Sequence, residues 1–275
     1  MAFDTKPINK VSDAEWFLKE ASETLDWEDL SEDVVMDIGC GTGKSSATFL
    51  ELFPNVQKVI AIDLYKKNTE EAQANNPHEK LAYEVADIQD RSTLTQWEGQ
   101  ISKVISTYCF NTLRRMEAGF ENVWKLLQPE GEAAFLIKLH GPFDNLLETL
   151  YLNQEWSPYL ASFCEVFPPD SIRNMTEKDY QTMAESAGFE VVGCKETVRV
   201  YDYDSEDEYK SFLFQCIPVV KKMSRSLEVK FKDYLLRTIL QFNPKTEEGK
   251  FCILNNALSL LLRRPPMKAQ KEKLN

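Results

Sequence analysis

Apolar runs alternate with helically spaced segments along most of this chain, and the alternation predicts its architecture. Val34–Ile38 is short and mostly apolar, as a strand buried on both faces of a parallel sheet should be. Three glycines follow at alternate positions, 39, 41 and 43, and helical spacing resumes over 44–50. Residues 58–64 read as a second strand and 66–75 as a helix; 82–88 alternates as a third strand. A fourth strand and its outgoing loop occupy 103–111, and 117–127 carries a helical stripe of Phe120, Val123, Trp124 and Leu127. Gln128-Pro129-Glu130-Gly131 reads as a proline-glycine turn that delivers a fifth strand over 132–139. Strand and helix in strict alternation predict parallel units with right-handed crossovers.

The flanking segments follow other patterns. Ser12-Asp13-Ala14-Glu15 is a capping box opening an amphipathic helix that packs through Trp16, Phe17, Leu18 and Leu25. The stretch 143–167 is dense in aromatics, which suit either the wall of an apolar pocket or an ordinary packed helix pair. Residues 176–187 form a capped helix closed by Gly188 and followed by a strand, Glu190–Tyr203. Ser205-Glu206-Asp207-Glu208 is a second capping box, starting a helical excursion to about 241. The chain returns as a last strand over 251–262, antiparallel to the others. The fold class is therefore α/β, a doubly wound, mostly parallel, seven-stranded Rossmann-like sheet with a helical insertion between its last two strands.

Composition narrows the partners. At 275 residues and 43% apolar content, one large α/β domain is accommodated with insertions. A net charge of −12 argues against a phosphate-backbone partner, which would be held by clustered Lys and Arg. The basic stretch within 263–273 reads as a solvated tail. Six scattered cysteines without a C-x-x-C pair, together with two histidines, suit a reducing compartment and offer poor metal-site material. With no signal-like start and no apolar run near ~20 residues, a soluble cytoplasmic protein is expected. The sequence is silent on oligomeric state.

The chemistry gathers around the first strand. Strand, glycine loop and helix make a nucleotide site, because glycine lets backbone N–H groups approach a ligand with no Cβ in the way. A dinucleotide fingerprint requires glycine at 44, where this chain has Lys44, and the P-loop spacing fails although Gly43-Lys44-Ser45 imitates its end. Asp37, two residues before the first glycine, would repel a pyrophosphate and attract a cationic amino acid. Acid-x-Gly-x-Gly-x-Gly thus favours S-adenosylmethionine, which carries an ammonium and a sulfonium and no phosphate. Asp63 closes the second strand where a carboxylate can accept both hydroxyls of a ribose; capping the next helix is its other role. Asp87, after the third strand, is placed to accept from an adenine amine, with Ile88 against the ring.

This ordered set resembles the class I S-adenosylmethionine-dependent methyltransferases: Asp37-Ile38-Gly39-Cys40-Gly41-Thr42-Gly43, Asp63, Asp87, Leu127-Gln128-Pro129-Glu130-Gly131 and Ala187-Gly188-Phe189. The resemblance covers about 34–203. It implies that Asp37 holds the methionine end of the cofactor, Asp63 the ribose, and Asp87 with Ile88 the adenine. Gly39, Cys40, Gly41, Gly43, Leu64 and Ser106 complete the candidate cofactor contacts. A narrower likeness reaches the arthropod juvenile hormone acid and farnesoic acid methyltransferases through Asp13-Ala14, His140, Pro142-Phe143-Asp144, Trp156 with Leu160, and Val200-Tyr201-Asp202. Two positions depart from that family's pattern. Lys10 stands where it has glutamine, and Asn111-Thr112 where it has His-Trp, both near the acid substrate in the family.

The resemblance implies methyl transfer to the carboxylate of a hydrophobic acid. Such a carboxylate, with a pKa near ~4, is already an ionised nucleophile at neutral pH and needs no general base. Tyr108, Asn111 and His140 are the candidates to orient it, with Lys10 to pair with it; Phe143, Trp156 and Tyr159 are candidates to line a channel for an apolar tail. The two regions 140–170 and 205–249 are then helical pocket or lid insertions of one domain spanning 1–275. Other readings remain open: a methyltransferase for a phenol or amine, or a catalytically silent S-adenosylmethionine-binding relative.

Overall fold

The apolar run Val34–Ile38 forms β1, and its last four residues are buried, as a strand covered on both faces requires. In the computed structural model, which describes residues 12–160, 174–217 and 223–266, it pairs in parallel with β2 (Lys58–Asp63) and β4 (Ile101–Thr107). Beyond these lie β3 (Leu81–Val85), parallel to β2, and β5 (Leu127–Lys138), parallel to β4. With β6 (Glu190–Tyr203) and β7 (Phe251–Arg263) they build one seven-stranded sheet of order β3-β2-β1-β4-β5-β7-β6. The N–H of Glu130 donates to the Arg264 carbonyl and that of Leu139 to the Asn256 carbonyl, so β7 runs antiparallel to β5.

The connecting helices are α1 (Asp13–Thr24), α2 (Lys44–Leu52), α3 (Lys66–Asn75), α4 (Met116–Leu126), α5 (Pro142–Leu152), α6 (Glu177–Ser186), α7 (Glu206–Cys216) and α8 (Arg225–Phe242). The last two form the excursion between β6 and β7, at the place in the chain that the hydrophobic spacing predicts. The Ser205 hydroxyl accepts the Glu208 N–H and so caps α7. The reciprocal bond closes one residue early: Glu208 accepts from the Asp204 N–H instead of that of Ser205.

The described residues fold as two compact units. The larger holds Asp13–Ile137, Glu177–Lys195 and 258–266. Its core includes Phe110, Phe120 and Phe135, whose ring centroids lie 4.5–5.5 Å apart. At the amino ends of its strands, buried Glu132 accepts from Trp27 Nε1 (2.7 Å), Lys103 Nζ (3.1 Å) and Arg263 Nη2 (2.8 Å). The smaller unit includes 138–160, 196–217 and 223–257, and has its own apolar cluster around Trp156, Tyr209, Phe231 and Leu235.

Two expectations are corrected. The proline-glycine turn at 128–131 is strand instead: β5 already begins at Leu127, with a register irregularity opposite Ile101/Lys103 and Glu130 at φ +64°. Backbone groups that a turn would leave to solvent are taken by Arg264, whose N–H donates to the Gly131 carbonyl at 2.8 Å. The third strand stops at Val85, so Asp87 and Ile88 lie in the loop beyond it. Lys10, Phe163, Phe167 and the chain from 267 onward fall outside the described residues.

Candidate cofactor site

Parallel register sets the site. Ile38 pairs with Ile62, Asp63 with Val85 and Asp37 with Ile105, so the carboxyl ends of β1–β4 and the loops leaving them share one sheet edge. A ligand crevice is expected at that edge in a doubly wound fold. All residues of this cradle belong to the larger unit.

The glycine loop is held by its neighbours. The N–H groups of Gly39 and Cys40 both donate to the Ile62 carbonyl, at 2.8 and 3.0 Å. Gly39 has φ +74°, and a Cβ there would lie 2.4 Å from Cys109 Sγ. Gly41, at φ +54°, has nothing within 4 Å of where a Cβ would be, so the loop presents bare backbone to open space at this point. Its N–H donates to Asp63 Oδ2 at 3.0 Å. The other oxygen of Asp63 accepts from the Tyr65 N–H (2.9 Å) and Asn68 Nδ2 (3.0 Å). Asp63 therefore braces the glycine loop and the residues that lead into α3 together, while the cap position of that helix is Tyr65, with no side-chain cap bond.

Asp37 is fully buried. Its Oδ2 accepts from the Ser45 and Ser46 hydroxyls, each at 2.6 Å, while its Oδ1 has no hydrogen-bond partner. Burial pushes its pKa up to about 6; the two serines oppose the rise and the nearby Asp63 charge adds to it. A buried carboxylate oxygen left without a partner, on the strand that leads into the glycine loop, fits a cationic donor. An ammonium group would supply both the missing hydrogen bond and the counter-charge.

The adenine candidates sit one loop further on. Asp87 Oδ1 accepts from the Gln89 N–H at 2.8 Å, and Ile88 is buried, its carbonyl held by Asn122 Nδ2 at 2.8 Å. Leu64 is half exposed and offers an apolar surface. Ser106 is used internally, donating to the Ile38 carbonyl at 2.9 Å. Cys40 is buried and its thiol pushed upward by burial, and Cys109 rises for the same reason to about 12, so both stay neutral packing groups.

Of the acceptor candidates, Tyr108 lies at φ +55° and its hydroxyl donates to Asp13 Oδ2 at 2.8 Å; Asn111 sits in the short turn Phe110–Thr112. His140 belongs to the smaller unit, where its Nε2 lies 3.5 Å from Glu148 Oε1. Phe143, Trp156 and Tyr159 belong there too; Trp156 is buried against Phe231, with Nε1 unpartnered. Sequence reasoning missed Ser45 and Ser46, although two hydroxyls straight after the third glycine are a readable cue. It also missed Tyr83, which packs on Gly43, and Asn76, whose Nδ2 donates to the Thr42 carbonyl, both from other elements with no local signal.

Comparison with known proteins agrees with this geometry. Residues 35–131, from β1 to the start of β5, match the family model described as a methyltransferase domain. An S-adenosylmethionine-dependent methyltransferase from Anabaena variabilis shares the fold, with a TM-score of 0.58 and 16% identity, over 92% of this chain and 86% of that one. The chain has the fold of a class I methyltransferase and carries a methyltransferase domain over 35–131, and the orphaned Asp37 oxygen and open Gly41 fit S-adenosylmethionine as its cofactor. Within the class it resembles juvenile hormone acid O-methyltransferase. The Drosophila melanogaster enzyme of that name is 22% identical over 86% of this chain and 81% of its own length. The Bombyx mori enzyme is 26% identical, over 67% of each.

Proposed function

We propose that the methyl acceptor is the carboxylate of a hydrophobic acid of the juvenile hormone acid or farnesoic acid type. The observation that carries this reading is the likeness to two O-methyltransferases named for juvenile hormone acid, one of which aligns well beyond the donor-binding region. Bound S-adenosylmethionine supplies an activated methyl group on a sulfonium.

The protein's part is to hold the acceptor and exclude water, since a carboxylate is its own ionised nucleophile at neutral pH. Donors are needed to orient it. The Tyr108 proton is already given to Asp13, so that oxygen offers a lone pair, and the donating falls to Asn111, His140 and Lys10. The aromatic cluster of the smaller unit, with Phe143, Trp156 and Tyr159, supports a role in receiving an apolar tail. On this reading the whole chain acts as one methyltransferase domain, with 140–170 and 205–249 as pocket or lid. It is a cytoplasmic enzyme without a nucleic-acid partner, as scattered cysteines and a net charge of −12 support. Among the described residues no helix is long and apolar enough to cross a membrane.

A mass-spectrometric screen for the gain of one methyl group tests the proposal, using farnesoic acid, juvenile hormone acid, fatty acids, phenols and amines. Methyl ester from one of the hydrophobic acids is the expected result. The rate at saturating donor should stay flat between pH 7 and 9, whereas a phenol or amine acceptor makes it rise with pH. No product from any acid overturns the reading.

A further inference from the structure

Tyr108 adopts a left-handed backbone conformation, φ +55°, directly after β4. A bulky aromatic residue is strained there and stays only when its surroundings over-determine it. Two bonds hold it. Its N–H donates to the Leu136 carbonyl on β5 at 2.7 Å, and its hydroxyl donates to Asp13 Oδ2, 95 residues earlier in sequence, at 2.8 Å. Asp13 is the first residue of α1, where the helix dipole favours its negative charge. The next residue, Cys109, fills the space over Gly39, where a Cβ would meet its Sγ at 2.4 Å. Gly39 in turn donates to the Ile62 carbonyl and begins the loop that ends on Asp63 through Gly41.

From this chain of contacts we propose that Asp13 is a positioning residue for the methyl donor. By accepting the Tyr108 proton it fixes the strained turn that seats Cys109 on Gly39, and so pre-sets the glycine loop before the donor arrives. Asp13 acts through Tyr108 and need not touch the ligand. The proposal holds for any acceptor, so its failure and that of the carboxylate reading are told apart.

The test is calorimetry of the full chain with S-adenosylhomocysteine, beside thermal unfolding. Asp13→Ala and Tyr108→Phe should each weaken binding by about tenfold, the scale of one lost charge-assisted hydrogen bond. The double variant should bind no more weakly than either single one, because both remove the same bond. Asp13→Asn should stay within about threefold of the parent, its amide oxygen still accepting the phenol proton. Tyr108→Phe and Asp13→Asn keep the side-chain shape and carry the test if the alanine variant fails to fold. Affinity within twofold of the parent in Tyr108→Phe, with only the unfolding temperature lowered, overturns the proposal by making the bond a mere structural tie. A double variant weakened by about a hundredfold also overturns it, because the two residues then act separately.

Discussion

Asp63 reaches back 22 residues to take the N–H of Gly41 at 3.0 Å, so the acid that closes β2 also sets the middle of the glycine loop. One side chain thus links the candidate ribose position to the bare backbone facing the donor. Removing it should affect both. Asp63→Ala is expected to weaken S-adenosylhomocysteine binding by about 1–3 kcal/mol, measured by calorimetry. It should also lower the unfolding temperature, because Gly41, Tyr65 and Asn68 lose their acceptor.

Asp37 gives the unliganded protein a pH signature. Its folded pKa, about 6, lies above the ordinary 3.8, so its contribution to stability is fully present below about pH 4 and is lost as pH rises through 6. The cost of ionising it in place is on the order of 3 kcal/mol at pH 8. Asp37→Asn keeps an oxygen for Ser45 and Ser46 and removes that charge. Unliganded Asp37→Asn should therefore unfold at a higher temperature than the parent at pH 8 and match it more closely at pH 4. Its affinity for the donor at pH 8 should fall at least tenfold, since the counter-charge is gone. Equal pH dependence in both proteins would show that Asp37 is not the titrating group.

Two glycines of one loop should respond differently to the same methyl group. At Gly43, φ +84°, an added Cβ meets the Tyr83 hydroxyl at 2.5 Å and Ala72 Cβ at 3.0 Å. Gly43→Ala should cost about 1–3 kcal/mol in urea unfolding. Gly41→Ala has open space, so its cost should stay near ~1 kcal/mol while its donor affinity drops. The split between stability and affinity is the readout.

Far from that edge, Glu132 gathers donors from Trp27, Lys103 and Arg263. Glu132→Ala leaves three polar groups without their acceptor and should destabilise the fold by about 2–4 kcal/mol, reduced from the fully buried case because Arg263 is part-exposed. Binding of S-adenosylhomocysteine measured well below the unfolding transition should be unchanged.

Much of this was legible in the chain because its signals are local. Asp37, the alternate glycines and Asp63 announce their edge through spacing alone, and the capped helix at Ser205 falls where its box lies. What was not legible depends on distant partners. Gln128-Pro129-Glu130-Gly131 has turn chemistry, yet it becomes strand because β7 arrives more than a hundred residues later to bond it. The bond from the Tyr108 hydroxyl to Asp13 was equally out of sight, since no spacing rule links residues 95 apart. Long-range hydrogen bonds spend side chains that local patterns leave available.

The neighbouring places of β6 and β7 in the sheet have one more consequence. The chain departs after Tyr203 and re-enters at Phe251 one strand away, so the intervening helices are tethered by a short gap. Lengthening or replacing such a loop costs little, since closure entropy grows only logarithmically with length. A graft of another chain's helices between these two strands is therefore an exchange the sheet can tolerate, with the order of its strands left as it is.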